Sequence, residues 1–284
     1  MPDVRGALAT ALPDYRVDSV SLLGQGTENT AFEINGELIV RFAQAPDPER
    51  TDREARLLAA LDGVTSLPIP EPVFVLPGLG CLAYRKLPGT ALLDLTRPGR
   101  PERIAAVLGE FLAALHAVAP GRLAGLAGVD DDPPAEWLRA ALADYEVVGG
   151  HLPARYRARV EAFLGGSPPP AGSTPVFSHN DLGVEHVLVD PGTSTVTGII
   201  DWGDAAFADP AHDYGRLFRD LGPAALLPGA AVAGGENGDG EALRERAVFY
   251  ARCGMLEDLA YGVGTGRRRY AEKSLAALAW LFPA

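Results

Sequence analysis

Apolar and polar positions along the first third of the chain alternate in short runs of the kind expected of β-strands. Residues 17–23 are apolar-rich and end in Gly24-Gln25-Gly26. Residues 30–34 and 37–42 flank Asn35-Gly36, the strongest short hairpin signal, because a type I′ turn needs positive φ at both central residues. The period then changes. Over residues 47–61, Ala55, Leu57, Leu58 and Leu61 form a helical stripe. Residues 73–76 and 81–84 predict a second strand pair turning at Pro77-Gly78, and Leu87-Pro88-Gly89 interrupts the pattern as a linker.

The remainder is mainly helical. Residues 101–118 open on proline and carry Ile104, Leu108, Phe111, Leu112 and Leu115 at three- and four-residue spacing. Residues 135–147 and 154–164 predict two more helices, and 165–174 a Pro/Gly/Ser loop. An isolated β island follows at 176–178, 187–190 and 196–201, then a helix at 209–221. The Gly/Ala/Pro-rich stretch 222–240 reads as a mobile loop, and helices at about 241–261 and 268–281 close the chain. There is no internal repeat. The pattern predicts an α+β chain in two lobes: a small β-rich N-terminal lobe (1–84), a hinge (85–89) and a larger helical C-terminal lobe (90–284). A cleft between two such lobes is a usual ligand site.

Composition narrows the partners. The 284 residues are 47% apolar and 22% charged, with no run that suggests a membrane span. The N-terminus lacks the basic and apolar regions of a signal peptide, so a cytoplasmic location is expected. Cys81 and Cys253 share no metal or redox spacing and read as buried thiols. A net charge of −12 argues against nucleic-acid or anionic-membrane partners and is compatible with a cationic small molecule. Of 25 lysines and arginines, only Lys86 and Lys273 are lysines.

The chemistry concentrates in Ser178-His179-Asn180-Asp181-Leu182-Gly183-Val184-Glu185-His186-Val187-Leu188-Val189-Asp190 and in Gly198-Ile199-Ile200-Asp201-Trp202-Gly203-Asp204. A strand pair turning at Pro191-Gly192 can bring Asp181 and Asp201 to one edge. Phosphoryl transfer asks for little more: a carboxylate to orient the attacking hydroxyl, and a ligand to hold Mg²⁺ against the β- and γ-phosphates. A hydrolase built on His179 and Asp181 would lack a placed nucleophile, since no Gly-x-Ser-x-Gly elbow is present.

These motifs, in this order and spacing, resemble the aminoglycoside phosphotransferases, relatives of the protein kinases. The form His-Asn-Asp…His-Val-Leu-x-Asp followed by Thr-Gly-Ile-Ile-Asp-x-Gly-Asp is most similar to the 2″-phosphotransferases. Phe111–His116 and Asp209-Pro210…Asp213 also resemble that family. The resemblance implies a protein-kinase-like fold and transfer of a γ-phosphate from ATP or GTP to a substrate hydroxyl. Asp181 would be the catalytic carboxylate and Asp201 the main Mg²⁺ ligand. His186 would be a second metal ligand, where most kinases have Asn. His179 would be structural, Asp213 would accept backbone donors of the catalytic loop, and Asp209 would cap the helix after it.

Upstream, the resemblance maps the kinase lysine–glutamate pair onto Arg41 and Glu54. It maps the phosphate-covering loop onto residues 23–30, with Gly24, Gly26 and Thr27. The hinge falls on 84–87, with Tyr84 and Lys86 beside the purine. Tyr84 is placed to narrow the inner purine pocket, which keeps GTP in play as donor. Asp204, Glu257 and Asp258 are candidates for binding the ammonium groups of a polycationic acceptor, with Glu236 and Asp239 as weaker ones. A kinase for a macrolide or amino-alcohol, or a nucleotide-binding module without turnover, would share the same core.

Overall fold

A computed structural model of the protein describes residues 2–26, 28–95, 101–172, 174–225 and 239–283. Most of the loop expected at 222–240 lies outside them, as do Thr27 and Glu236.

The N-terminal part is an antiparallel five-stranded sheet of β1 (Val20–Gln25), β2 (Asn29–Ile34), β3 (Leu38–Ala43), β4 (Pro72–Leu76) and β5 (Cys81–Arg85) in the order β1-β2-β3-β5-β4. The β2–β3 hairpin turns at Asn35 and Gly36 with φ of 54° and 73°, as the Asn-Gly pair demands. Side chains alternate across the sheet. Phe32, Ile34, Leu38, Val40, Phe42, Cys81 and Ala83 pack on one face with Val4, Ala7 and Leu8 of helix α1 (Val4–Ala11). Helix α1 has no counterpart in the sequence expectation, although Asp3 caps it by accepting the Gly6 N–H at 2.8 Å. The opposite face carries Arg41, Leu82 and Tyr84 and receives helix α2 (Pro48–Ala60). Asp47 caps α2 by accepting the N–H groups of Glu49 and Arg50 at 3.0 Å, with Pro48 in the first turn.

Helices α3 (Pro101–His116), α4 (Pro134–Val148), α5 (Ala154–Leu164), α6 (Ala211–Leu221), α7 (Asp239–Thr265) and α8 (Arg268–Leu281) make the larger region. Its core, with Phe111, Leu112, Phe177, Trp202, Leu256 and Leu278, is continuous with Leu57 and Leu58 of α2. Arg122 ties the regions further: its guanidinium donates to the carbonyls of Ala60, the last residue of α2, and Asp62 just past it, at 3.0 Å each.

The expected β island is in fact two three-stranded sheets. Strands β10 (Val196–Ile199) and β6 (Thr90–Ala91) flank β9 (Val187–Val189), while β8 (Val176–Ser178) and β7 (Gly128–Val129) flank β11 (Ala206–Ala208). Strand β6 continues from the chain that leaves the N-terminal sheet, so the crossing segment is seated on β9. Gly89 makes that approach, with φ of 110° and no room for a Cβ against Thr197 and the Val189 carbonyl.

Candidate active site

The segment expected to be catalytic, residues 179–186, joins β8 to β9 and therefore spans the two small sheets. Bends here are carried by residues with side chains: Asn180 in this loop has φ of 66°, and Asp201, in the next turn after β10, has φ of 64°. Non-glycine residues in the left-handed region are held there by surrounding structure. Asn180 is pinned on three sides. Its amide donates to Asp130 Oδ2 at 2.7 Å, its carbonyl Oδ1 receives His212 Nδ1 at 3.0 Å, and its backbone N–H donates to Asp213 Oδ1 at 2.8 Å.

Asp213, fully buried on α6, also accepts the His179 N–H at 3.1 Å and His116 Nε2 at 3.0 Å. Burial would raise its pKa, but His116, His179 and the loop N–H groups hold it below the ordinary carboxylate value. The backbone-accepting role expected of Asp213 is what the geometry has. Asp209 accepts the Ala211 N–H at 3.0 Å at the start of α6 and pairs with Arg246 at 2.6 Å.

His179 is structural. Its Nε2 meets the Ile200 carbonyl at 3.1 Å, so Nε2 bears the proton and Nδ1 accepts the Asp181 N–H at 3.3 Å. Burial keeps this ring neutral, its pKa lowered. His186 is set differently. Its Nδ1 donates to the Asp181 carbonyl at 2.8 Å, which turns Nε2 toward Asp201 Oδ2 at 3.5 Å. Burial disfavours charge on this ring, yet Asp181 and Asp201 outweigh it and raise its pKa.

Asp181, His186 and Asp201 thus converge, with the Asp201 side chain 47% exposed to the cleft. The pair His186 Nε2 and Asp201 Oδ2 is close enough for one cation to bridge. Mg²⁺ takes one or two protein ligands and completes its shell with phosphate and water oxygens, so the carboxylate fits it well and the imidazole less well.

Above this cluster, Arg41 on β3 ion-pairs with Glu54 on α2, and its Nη1 lies 3.2 Å from Asp201 Oδ1. Burial opposes the charge on Arg41, but Glu54 and Asp201 hold it protonated. Tyr84 pairs with Ile39 across the β3–β5 register, and burial pushes its phenol up to about 12. The side chain of Lys86 folds back on Glu33 at 2.6 Å. Gly24 and Gly26 adopt no left-handed backbone, and a Cβ on Gly24 would meet nothing within 4 Å, on Gly26 only the Asn29 carbonyl at 3.8 Å. The fold itself does not call for glycine at either place.

The three acceptor candidates part company. Glu257 is exposed on α7. Asp204 borders a pocket of about 180 Å³ that it shares with Arg50, Arg53, Glu54 and Trp202, and burial together with the nearby Asp181, Glu28 and Asp201 raises its pKa. Asp258 is turned inward. It is 7% exposed and lies 2.9 Å from both Arg219 and Lys273. These cations also meet Asp220 and Glu185. The expectation that Asp258 faces a ligand is therefore corrected: it belongs to a buried ionic network. Periodicity could not show this, because an acid on a helix is normally solvated.

Sequence reasoning also passed over Arg216, whose Nη1 is 3.0 Å from Asp181 Oδ1. The available signal was a charged series at 213, 216 and 220, which shares one face of α6.

Residues 19–249 match the family described as phosphotransferase enzyme family. Viomycin phosphotransferase of Streptomyces vinaceus is 27% identical over 250 residues, covering 81% of this chain and 87% of that protein. The solved structure of an aminoglycoside 2″-phosphotransferase in complex with GDP and kanamycin superposes with a TM-score of 0.70 at 25% identity, covering 96% of both chains. A macrolide 2′-phosphotransferase of Brachybacterium faecium, solved as the apoenzyme, gives 0.60 at 25% identity over 100% of this chain and 99% of that one. The two-lobed, protein-kinase-like α+β fold expected from the motifs holds. A match spanning most of the chain and enclosing the whole catalytic loop makes this protein a member of the phosphotransferase enzyme family.

Proposed function

We propose that the protein transfers the γ-phosphate of ATP or GTP to a hydroxyl of a small-molecule antibiotic, an aminoglycoside or a related polycationic acceptor, in the cytoplasm. The observation that carries this reading is the convergence of Asp181, His186 and Asp201 beneath the Arg41–Glu54 pair. Asp181 accepts the proton side of the acceptor hydroxyl and aims its oxygen. Asp201, with His186 directly or through water, holds Mg²⁺, which when bound neutralises charge on the β- and γ-phosphates. Arg41, kept in place by Glu54, clamps the nucleotide phosphates. Arginine does this bidentately where lysine offers a point charge. The glycines at 24 and 26 leave the backbone open for close approach. Residues 85–89 serve as the hinge, with Tyr84 and Lys86 beside the purine. Glu257 and Asp204 face the acceptor.

The test is a Mg²⁺-dependent transfer assay. ATP and GTP are offered separately with kanamycin, viomycin, a macrolide and small amino-alcohols, and Asp181→Asn serves as control. Phosphorylated kanamycin or viomycin from the wild type alone supports the reading. Transfer only to a macrolide or amino-alcohol keeps the mechanism and discards the acceptor. Nucleotide binding with no transfer to any acceptor sinks it.

A further inference from the structure

Besides His212, which meets the Asn180 side chain, helix α6 touches the loop around Asp181 through Asp213, Arg216 and Asp220. Positions i, i+3 and i+7 lie on one helix face. Asp213 accepts the N–H groups of His179 and Asn180, at 3.1 and 2.8 Å. Asp220 accepts the Val184 N–H at 3.1 Å. These two fix the backbone on either side of Asp181. Between them, the Arg216 guanidinium meets the Asp181 side chain at 3.0 Å. The Arg216 side chain is 15% exposed, and this is its one ion pair among the described residues. Its other charged surroundings are Glu257 and Asp258, which attract it, and Arg219, which repels it.

The two oxygens of Asp181 are thereby made unequal. Oδ1 is bound by Arg216. Oδ2 is 3.4 Å from His186 Nδ1, whose proton goes to the Asp181 carbonyl at 2.8 Å. The last torsion of an aspartate is broad and two-fold, so a carboxylate without partners samples many aims. A guanidinium on one oxygen selects one aim for the other. We propose that Arg216 is a positioning residue for phosphoryl transfer, holding Asp181 by Oδ1 so that Oδ2 is presented to the acceptor hydroxyl. The inference rests on the reading of Asp181 given above. Its chemistry suits that reading: a loose phosphoryl-transfer transition state asks for orientation of the hydroxyl more than for early proton removal.

The test uses the full chain as wild type, Arg216→Met, Arg216→Lys and Arg216→Ala, the last with and without added methylguanidine, and Asp181→Asn. Four quantities are read: Mg²⁺-dependent transfer from ATP and GTP to kanamycin and viomycin, phosphate release without acceptor, nucleotide affinity, and Tm. Loss of aim at a reacting group costs on the order of 10- to 100-fold. Arg216→Met is therefore expected to lower kcat by that factor while nucleotide affinity and acceptor KM change far less. Arg216→Lys should recover part of kcat. Methylguanidine should restore activity to Arg216→Ala but not to Asp181→Asn. Wild-type kcat in Arg216→Met overturns the role of Arg216 and leaves Asp181 untouched. A lysine variant as inactive as the methionine one, with lowered Tm and no response to methylguanidine, marks a purely structural arginine and also overturns it. A wild type that binds nucleotide yet neither transfers nor releases phosphate removes the reading of Asp181, and Arg216 with it.

Discussion

Two ionic clusters flank the catalytic loop, and each holds more carboxylates than cations. On the cleft side, Arg41 faces Glu54 and Asp201. Behind the loop, Arg219 and Lys273 face Glu185, Asp220 and Asp258. The surplus is handled in opposite ways. In the cleft it lies on Asp201, which is half exposed and can wait for a cation arriving from solvent. Behind the loop every member is at most 11% exposed, and no ion arrives. There the surplus can be met only by a proton taken up in mild acid: burial pushes the Asp258 carboxyl up to about 6 against the pull of Arg219 and Lys273. Asp220, held by Arg219 and Lys273 and bonded to the Val184 N–H, stays far below the usual range despite its burial. An open surplus leaves a carboxylate within reach of an incoming cation, whereas a closed one is a structural cost that protonation offsets only below about pH 6.

The largest expected effect lies on the open side. Asp181→Asn should lower phosphate transfer by about 10³- to 10⁴-fold, some 4–5 kcal/mol of barrier, with Tm little changed. If turnover in that variant stays within tenfold of wild type, the cleft is not organised around this carboxylate. Next comes the closed side. Arg219→Met leaves buried carboxylates short of a cation and should cost about 3–5 kcal/mol of stability, read as denaturant midpoint. A midpoint equal to wild type would show the network to be dispensable.

Arg41→Lys sharpens the cleft further. The shorter, non-planar cation should weaken nucleotide binding or turnover by about tenfold, measured by titration and kcat, without a matching loss of Tm. Asp258→Asn has the opposite sign. The folded-state pKa of Asp258 is raised from 3.8 to about 6, so its stabilising form is the protonated one. That contribution is complete below pH 3.8 and is lost as pH rises through about 6. The asparagine variant should therefore be more stable than wild type at pH 8, by about 1–3 kcal/mol, and the gap should narrow as pH falls below about 6 and close only near 3.8. A gap that is constant with pH would mean that Asp258 does not take up the proton. The smallest effect is expected from Lys86→Ala. Its pair with Glu33 is partly solvated, and such pairs contribute under about 1 kcal/mol. A large Tm change would place Lys86 in the folding core instead.

What could be read from the sequence divides along the same line. Asp181, His186 and Asp201 lie within one short segment, so order and spacing carry them. The Asn35-Gly36 turn follows from φ requirements alone, and Arg41 and Glu54 sit 13 residues apart on neighbouring elements. Strands β6, β7 and β11 have two or three residues each, too few for any period to register. The closed cluster was invisible for another reason. Its partners lie far apart in sequence, Glu185 and Lys273 by 88 positions, and helical periodicity reports apolar stripes rather than the pairing of charges. Asp258 was misread on that account.

Under the proposed nucleotide-clamping role of Arg41, arginine rather than lysine at this position has a practical consequence. Reagents that find nucleotide sites by acylating an amine beside the phosphates depend on a lysine there. This chain has two lysines in all: Lys86, partly exposed beside Glu33, and Lys273, buried among three carboxylates. An amine-directed nucleotide label would pass over Arg41 and leave its mark, if anywhere, at the rim of the sheet on Lys86. A survey that counts such labels would miss this protein, whereas one built on guanidinium-selective dicarbonyls, read for protection by nucleotide, would find it.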